Sequence, residues 1–418
     1  MNQDTRPAVI VAMICSAEVL SMLTVAAFPA LLPTFLEEWS LSKTDAGWIN
    51  GIYYLGYLSA VPVLVSLTDR RPARGIYLVC MLVSAAAAFG FAFLAEGFWT
   101  AMLFRTLSGI GLAGTYMPGL KLLTDQLEHA RPGTDHSRSV AFYTSSFGLG
   151  MSLSYFISGE LATAWGWSTA FLILGFGPLA ALLYMAVALP RDRTGPSHAP
   201  STHLLDFRPV FRCREAMGYV LAYTVHNFEL FAFRSWVVAF LAFALTRHPG
   251  ESLIVAATTI AATSNIVGMP ASVLGNELSR RVGRRKAIAI IMWSSTAFAV
   301  GLGFLVDAPL WVLTAAIIFY GFLITGDSSS ITAGAVAEAP KGYRGATLAV
   351  HSCIGFSGSF LGPLVFGAVL DWSSPADLGG TSMASWVWAL SVSGAVAALG
   401  PVFLYLLRKR SGNASLPT

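Results

Sequence analysis

The chain has 418 residues, of which 55% are apolar and 11% charged, and a formal net charge of +4; its mean hydropathy is +0.64. A soluble globular protein carries about a quarter charged residues, so a soluble enzyme, a disordered chain and a nucleic-acid binder are excluded. A polytopic membrane protein remains. One span takes about 20 residues, so twelve take roughly 240; what is left makes short loops and no separate soluble domain.

Apolar runs bounded by charges or Gly/Pro turns predict helices over 8–32, 45–67, 75–95, 98–122, 139–161 and 167–189. The stretch 190–215 is polar. Six more runs follow at 216–245, 252–275, 287–306, 309–336, 346–370 and 384–407. The expected organisation is a six-helix bundle over 1–189, a linker over 190–215 and a second six-helix bundle over 216–418. In the linker, five arginines alternate with Leu204, Leu205, Phe207, Val210 and Phe211, which fits either a short surface-lying amphipathic helix or a plain connector.

Charge orients the runs. With the amino end inside, 22 of the 26 Lys and Arg fall on the cytoplasmic side; only Lys43 and Arg247 fall outside, and Arg105 and Arg234 lie within runs. That is the positive-inside pattern. It predicts an integral protein of the plasma membrane (the inner membrane of a bacterium) with both termini cytoplasmic. Residues 1–7 are too short, and the run after them too long, for a cleaved signal. Cys15, Cys80 and Cys353 lie in apolar runs and Cys213 in a basic loop, with no CxxC pair or Cys/His cluster. No metal and no cofactor are expected.

The two halves repeat. Ser66–Arg74 reads SLTDRRPAR after the second run, and Glu277–Arg285 reads ELSRRVGRR after the eighth. Asp125 closes the fourth run and Arg138 opens the fifth; Glu338 closes the tenth and Arg344 opens the eleventh. Internal repeats joined by a long loop are a common construction of transporters, with the substrate site between the repeats.

On these residues the sequence resembles the major facilitator superfamily over nearly its whole length. Leu67, Asp69, Arg70 and Arg74 fit its loop motif, with Ser66 and Pro72 in place of its two glycines. Leu278, Arg281, Gly283, Arg284 and Arg285 fit the second copy, with Arg280 where the acid belongs. The fourth run carries the family's R-x-x-x-G-x-G pattern as Arg105, Gly109 and Gly111. The resemblance implies an all-α membrane protein of twelve transmembrane helices in two six-helix pseudo-repeats. It also implies gating by Asp69, Arg70, Arg74, Asp125 and Arg138 in the first half, and by Gly283, Arg284, Arg285, Glu338 and Arg344 in the second. A carboxylate such as Asp69 is stabilised by the unsatisfied amides of a helix amino end; the alternative is that these charges only cap helices and fix topology. Gly358, Gly362, Pro363 and Gly367 in the eleventh run are similar to the family's antiporter motif, which belongs to the fifth. Glycine spacing for close helix contact is the other reading.

Ionisable groups inside the membrane carry the functional signal, because each costs at least about 2.5–3.5 kcal/mol to bury. They are Glu18 in the first run, Arg105 in the fourth, His226, Glu229 and Arg234 in the seventh, Asp327 in the tenth and His351 in the eleventh. The resemblance makes the first, fourth, seventh and tenth helices the lining of a central cavity. The expected function is proton-coupled secondary transport of a small polar or anionic solute by alternating access, by a monomer whose partners are the solute, protons and lipid. Arg105, Arg234, His226, Asn227 and Trp236 are the candidate substrate contacts. Glu229, then Glu18 and Asp327, are the candidate proton sites, since desolvation favours a neutral carboxyl. Proton-driven efflux of cationic or amphipathic toxicants is the alternative, and a multi-pass enzyme or sensor the remote one.

Overall fold

The computed structural model describes residues 7–68, 71–131, 133–188, 207–374 and 382–408. Asp69 and Arg70 fall outside them. Among the described residues the chain is helical, with no strand. We label the principal helices α1 (Pro7–Ser21), α2 (Lys43–Leu67), α3 (Ala73–Leu94), α4 (Phe98–Ala130), α5 (Ser137–Ala188), α6 (Arg214–Arg247), α7 (Ala257–Val282), α8 (Arg284–Gly303), α9 (Leu310–Thr325), α10 (Ser328–Ala337), α11 (Arg344–Trp372) and α12 (Met383–Ala397).

Among the described residues, eight helical stretches are long and apolar enough to cross a membrane, and one of them, Arg138–Ala188, has 51 residues. It is two spans joined at Gly166, whose φ of 79° is open to glycine and strained for other residues. Counting it twice and adding α2, α4 and α7, which have spanning length but more polar faces, makes twelve. The apolar runs therefore mark the right helices. Their edges move, most at α4, which ends at Ala130 rather than 122.

The first and tenth of the expected helices are broken, and the twelfth is interrupted at Ala398, between Met383–Ala397 and Leu399–Leu406. The first run stops at Ser21, passes through a 3-10 turn over Met22–Thr24 and resumes as Ala27–Ala30 and Leu32–Glu38. Pro29 explains part of this, because it has no N–H to give to the Val25 carbonyl four residues back. Ser154 of α5 repairs the rest: its hydroxyl donates to the Leu23 carbonyl at 2.6 Å and accepts from the Ala26 amide at 2.9 Å. The tenth run breaks at Gly326–Asp327, between α9 and α10. Irregular backbone at membrane depth is tolerated where protein groups satisfy it in this way.

The first and second halves of the chain meet along α2 and α11 and along α5 and α7. Gly47 and Gly51 allow the first contact, since a Cβ on either would lie 2.6 Å and 2.5 Å from the carbonyls of Pro363 and Phe360. Glycines of the eleventh run act likewise: a Cβ on Gly358, Gly362 or Gly367 would run into the backbone of Thr224, Phe228 or Lys43. Five exposed tryptophans, Trp99, Trp165, Trp311, Trp372 and Trp388, lie near helix ends on the face that carries Lys43 and Arg247, whereas exposed Trp293 lies within α8. Such a ring suits a membrane–water interface. The opposite face carries Arg138 and Arg284–Arg285.

Candidate functional site

The Val25 carbonyl left free by Pro29 accepts from a guanidinium N–H of Arg105 at 3.1 Å. Arg105 comes from α4, and the glycines that follow it explain how it gets there. A Cβ on Gly109 would overlap the Tyr53 carbonyl and one on Gly111 the Ser84 hydroxyl, so α4 lies tight on α2 and α3. The Arg105 guanidinium rests 4.4 Å from the centre of the Tyr53 ring and 5.8 Å from that of Phe28. It is 2% exposed, and its Nε has no hydrogen-bond partner.

Arg234 enters from α6, in the other half of the chain. Its guanidinium lies 5.2 Å from the Phe231 ring, its backbone carbonyl accepts from the Tyr155 hydroxyl, and its Nε is also buried without a partner. Tyr54 and Tyr155 lie within electrostatic reach of both arginines. Tyr54 packs on Phe231 at 4.5 Å and 59°, and Phe356 closes the box 6.0 Å from Phe231. No carboxylate among the described residues forms an ion pair with either arginine. A buried guanidinium from one half and a half-buried one from the other therefore share Tyr54 and Tyr155 with no carboxylate paired to either among the described residues.

The acids sort differently from the sequence expectation. His226 is three residues from Glu229, yet its Nδ1 lies 2.8 Å from Asp327 Oδ1 at the break between α9 and α10. The approach is at ion-pair distance, while Oδ1 lacks an aligned hydrogen bond and the far ring nitrogen, Nε2, has no partner. Beside it, the Tyr223 ring stacks between His226, at 5.8 Å, and His351, at 4.0 Å. His351 Nε2 is 3.2 Å from the Thr332 hydroxyl. Asn227 is buried with its amide nitrogen unpaired.

Glu229 is turned elsewhere: Oε1 accepts from Ser295 of α8 at 2.6 Å and from Tyr320 of α9 at 2.9 Å. Three residues turn a helix about 300°, which is enough to send neighbouring side chains to different partners. Glu18 meets the Tyr143 hydroxyl at 3.0 Å, and that hydroxyl also reaches the Thr115 and Tyr116 carbonyls at 3.3 Å and 2.8 Å. Trp236, expected against substrate, is instead core. Its indole N–H donates to the Pro363 carbonyl at 3.0 Å and its ring stacks on Phe366, because α6 and α11 press together where the glycines allow.

Of the expected gating residues, Asp69 and Arg70 lie outside the described residues. Arg74 donates to the Ala186 carbonyl at the end of α5 at 2.7 Å, where a cation suits the helix dipole. Asp125 pairs with Lys121 at 2.9 Å. Arg285 approaches Glu215 at 3.8 Å. Gly283 turns the chain between α7 and α8 with φ 92°. Arg284 and Arg344 open helices and Glu338 closes one. Arg138 lies over Phe142 at the mouth of a cavity of about 580 Å³ that runs past Phe142, Ser146 and Cys15 to Met269 of α7.

Sequence reasoning missed Tyr53, Tyr54 and Tyr155, which wall the arginines. Their signal was weak: ring hydroxyls at Tyr53, Tyr54 and Tyr57 in one run and Tyr155 in another, among other polar residues.

Twelve membrane-length helices with arginine, histidine and carboxyl groups buried among them make an integral membrane protein built as a transporter. The model of the Major Facilitator Superfamily matches residues 14–363, and the chain belongs to that family. It is 24% identical over 353 residues to a putative metabolite transport protein of Haemophilus influenzae, covering 81% of this chain and 83% of that one. It is 26% identical over 145 residues to the niacin transporter of Acinetobacter baylyi, a match that takes in 35% of this chain and 32% of the relative. The crystal structure of the nucleoside transporter NupG superposes with a TM-score of 0.76 over 95% of this chain and 98% of that one, at 14% identity.

Proposed function

We propose that the protein is a proton-coupled secondary transporter of a small aromatic carboxylate. The observation that carries this reading is the Arg105–Arg234 pair: one guanidinium from each half of the chain, each with a buried, unpartnered Nε, both near Tyr54 and Tyr155, neither ion-paired among the described residues. Guanidinium forks match carboxylates, and the rings of Tyr54, Phe231 and Phe356 offer faces to a planar solute. Niacin, the substrate named for one relative, is an aromatic carboxylate. A ligand bridging both halves also gives alternating access its coupling, because each half must release its own arginine before the site opens.

Protons enter at the His226–Asp327 pair in this scheme. With imidazole neutral and Asp327 ionised the pair holds one uncompensated buried charge; one proton on the ring neutralises it, so loading and release of that proton change the cost of burial. Glu229 and Glu18, the earlier candidates, already hold hydroxyl partners. The arginine-rich face and both chain ends lie in the cytoplasm of a bacterial cell, and the protein acts as a monomer. Asp69 and Arg70 gate the cytoplasmic side.

Binding of benzoate to the purified protein, followed by calorimetry, tests the anion site. Arg105→Ala and Arg234→Ala are each expected to weaken it about tenfold to a hundredfold, the range for a charged hydrogen bond. Benzamide, neutral and of the same shape, should not bind. Equal binding of benzamide and benzoate, or unchanged affinity in both variants, would refute the anion reading.

A further inference from the structure

On the face that carries Lys43, the carboxylate of Asp371, at the end of α11, reaches across to the first turn of α2. Oδ1 accepts from the Lys43 amide at 3.1 Å. Oδ2 accepts from the Thr44 amide at 2.7 Å and from the Thr44 hydroxyl at 2.6 Å. Those amides are the unsatisfied donors of a helix amino end, and the end is partly positive, so an acid there is held by both hydrogen bonds and dipole. The acid comes from the other half of the chain, some 330 residues away in sequence.

We propose that Asp371 is a latch that holds this face of the transporter shut, while the two halves are free to separate on the other. The surroundings fit a contact made to close and reopen. Gly47 and Gly51 of α2 lie flat on α11 beneath the latch, and aromatic pairs continue the seam inward: Trp48 with Phe360 at 5.6 Å and Tyr57 with Phe356 at 4.6 Å. The helix end does not depend on the latch for its own integrity. Ser42 and Asp45 cap α2 from within: the Asp45 carboxylate accepts from the Ser42 amide and hydroxyl at 3.2 Å and 2.7 Å, and the Asp45 amide donates to the Ser42 hydroxyl at 3.0 Å. When Asp371 leaves, the Lys43 and Thr44 amides pass to water and the first turn stays wound. Asp307, on the same face, bonds Arg247 at 2.9 Å within its own half and cannot act in this way.

The test is a spin-label distance between Glu96→Cys, in the first half, and Pro249→Cys, in the second, in full-length protein whose four native cysteines have been replaced. Asp371→Ala is expected to raise the ratio of long to short distances about tenfold, the weight of a charged hydrogen-bond set, and Asp371→Asn to raise it less. Thr44→Val, which removes one donor and keeps both amides, should give a smaller shift of the same sign and decides the matter if the Asp371→Ala protein does not fold. Distances unchanged in Asp371→Asn and Thr44→Val would overturn the latch. So would an equal lengthening in Asp307→Asn, because that would be loosening of the whole face.

Discussion

Glu229 and Asp327 are both buried carboxylates of the second half, each 2% exposed, and their surroundings are opposite in kind. Glu229 sits against α8 and α9, away from the break, and accepts hydrogen bonds from two hydroxyls, each with its own proton to give. Asp327 sits where a helix is broken and faces an imidazole. A hydroxyl pair holds a carboxyl in place whatever its protonation, whereas imidazole changes its own charge near neutral pH. Burial alone therefore does not mark a coupling site; the titratable partner and the irregular backbone do. Glu18 is an intermediate case. Tyr143 has one proton and three oxygens within reach, so Glu18 shares its hydroxyl partner with the Thr115 and Tyr116 carbonyls.

The contrast can be broken or sharpened by substitution, beginning with the largest effect. Asp327→Asn is expected to abolish uphill accumulation of benzoate in proteoliposomes under a proton gradient, a loss of tenfold or more, while leaving counterflow; retained accumulation would move the coupling site elsewhere. Glu229→Ala leaves the Ser295 and Tyr320 hydroxyls unpaired in a dry site, and should lower stability by about 2–4 kcal/mol, read as a fall in melting temperature of the detergent-solubilised protein. Tyr320→Phe removes one of those two bonds and should cost about 1 kcal/mol by the same measurement. Glu229→Gln keeps an acceptor for both hydroxyls, so transport close to the unmodified rate is expected. A Glu229→Gln protein that binds benzoate but cannot concentrate it would reverse the assignment of the two acids.

Much of the fold was legible because lipid imposes it. Long apolar runs, charges sorted to one side and a duplicated loop at repeat spacing each follow from the bilayer as solvent, and together they mark twelve helices. The break at Ser21–Ala27 was not legible, since it lies within an apolar run and only Pro29 hints at it; the break at Gly326–Asp327 lies in the polar stretch Thr325–Ser330, which marked a charge inside a span but not an interruption of the helix. Site residues were half legible. A charge in a membrane run is conspicuous, so Arg105, Arg234, His226 and Asp327 stood out. Which of them meet depends on small differences in rotation: His226 and Glu229, one turn apart, go to separate partners. Trp236 looked available as a large amphipathic ring near the charges, yet the Pro363 carbonyl holds its N–H. Asp371 gave no signal, because an acid at a helix end near water is ordinary until its partner is known to be another helix.

The broken first helix carries a consequence for how the chain is made. A nascent protein enters the membrane from its amino end, so residues 7–38 arrive before anything can complete them. The Val25 carbonyl waits for Arg105, about 80 residues later; Leu23 and Ala26 wait for Ser154, about 130 later. Until then the leading segment holds open backbone groups in hydrocarbon, each costing several kcal/mol. The first helix is thus finished only once the fifth has been made, and a ribosome-bound intermediate ending before Ser154 should leave it exposed to water or to the insertion machinery.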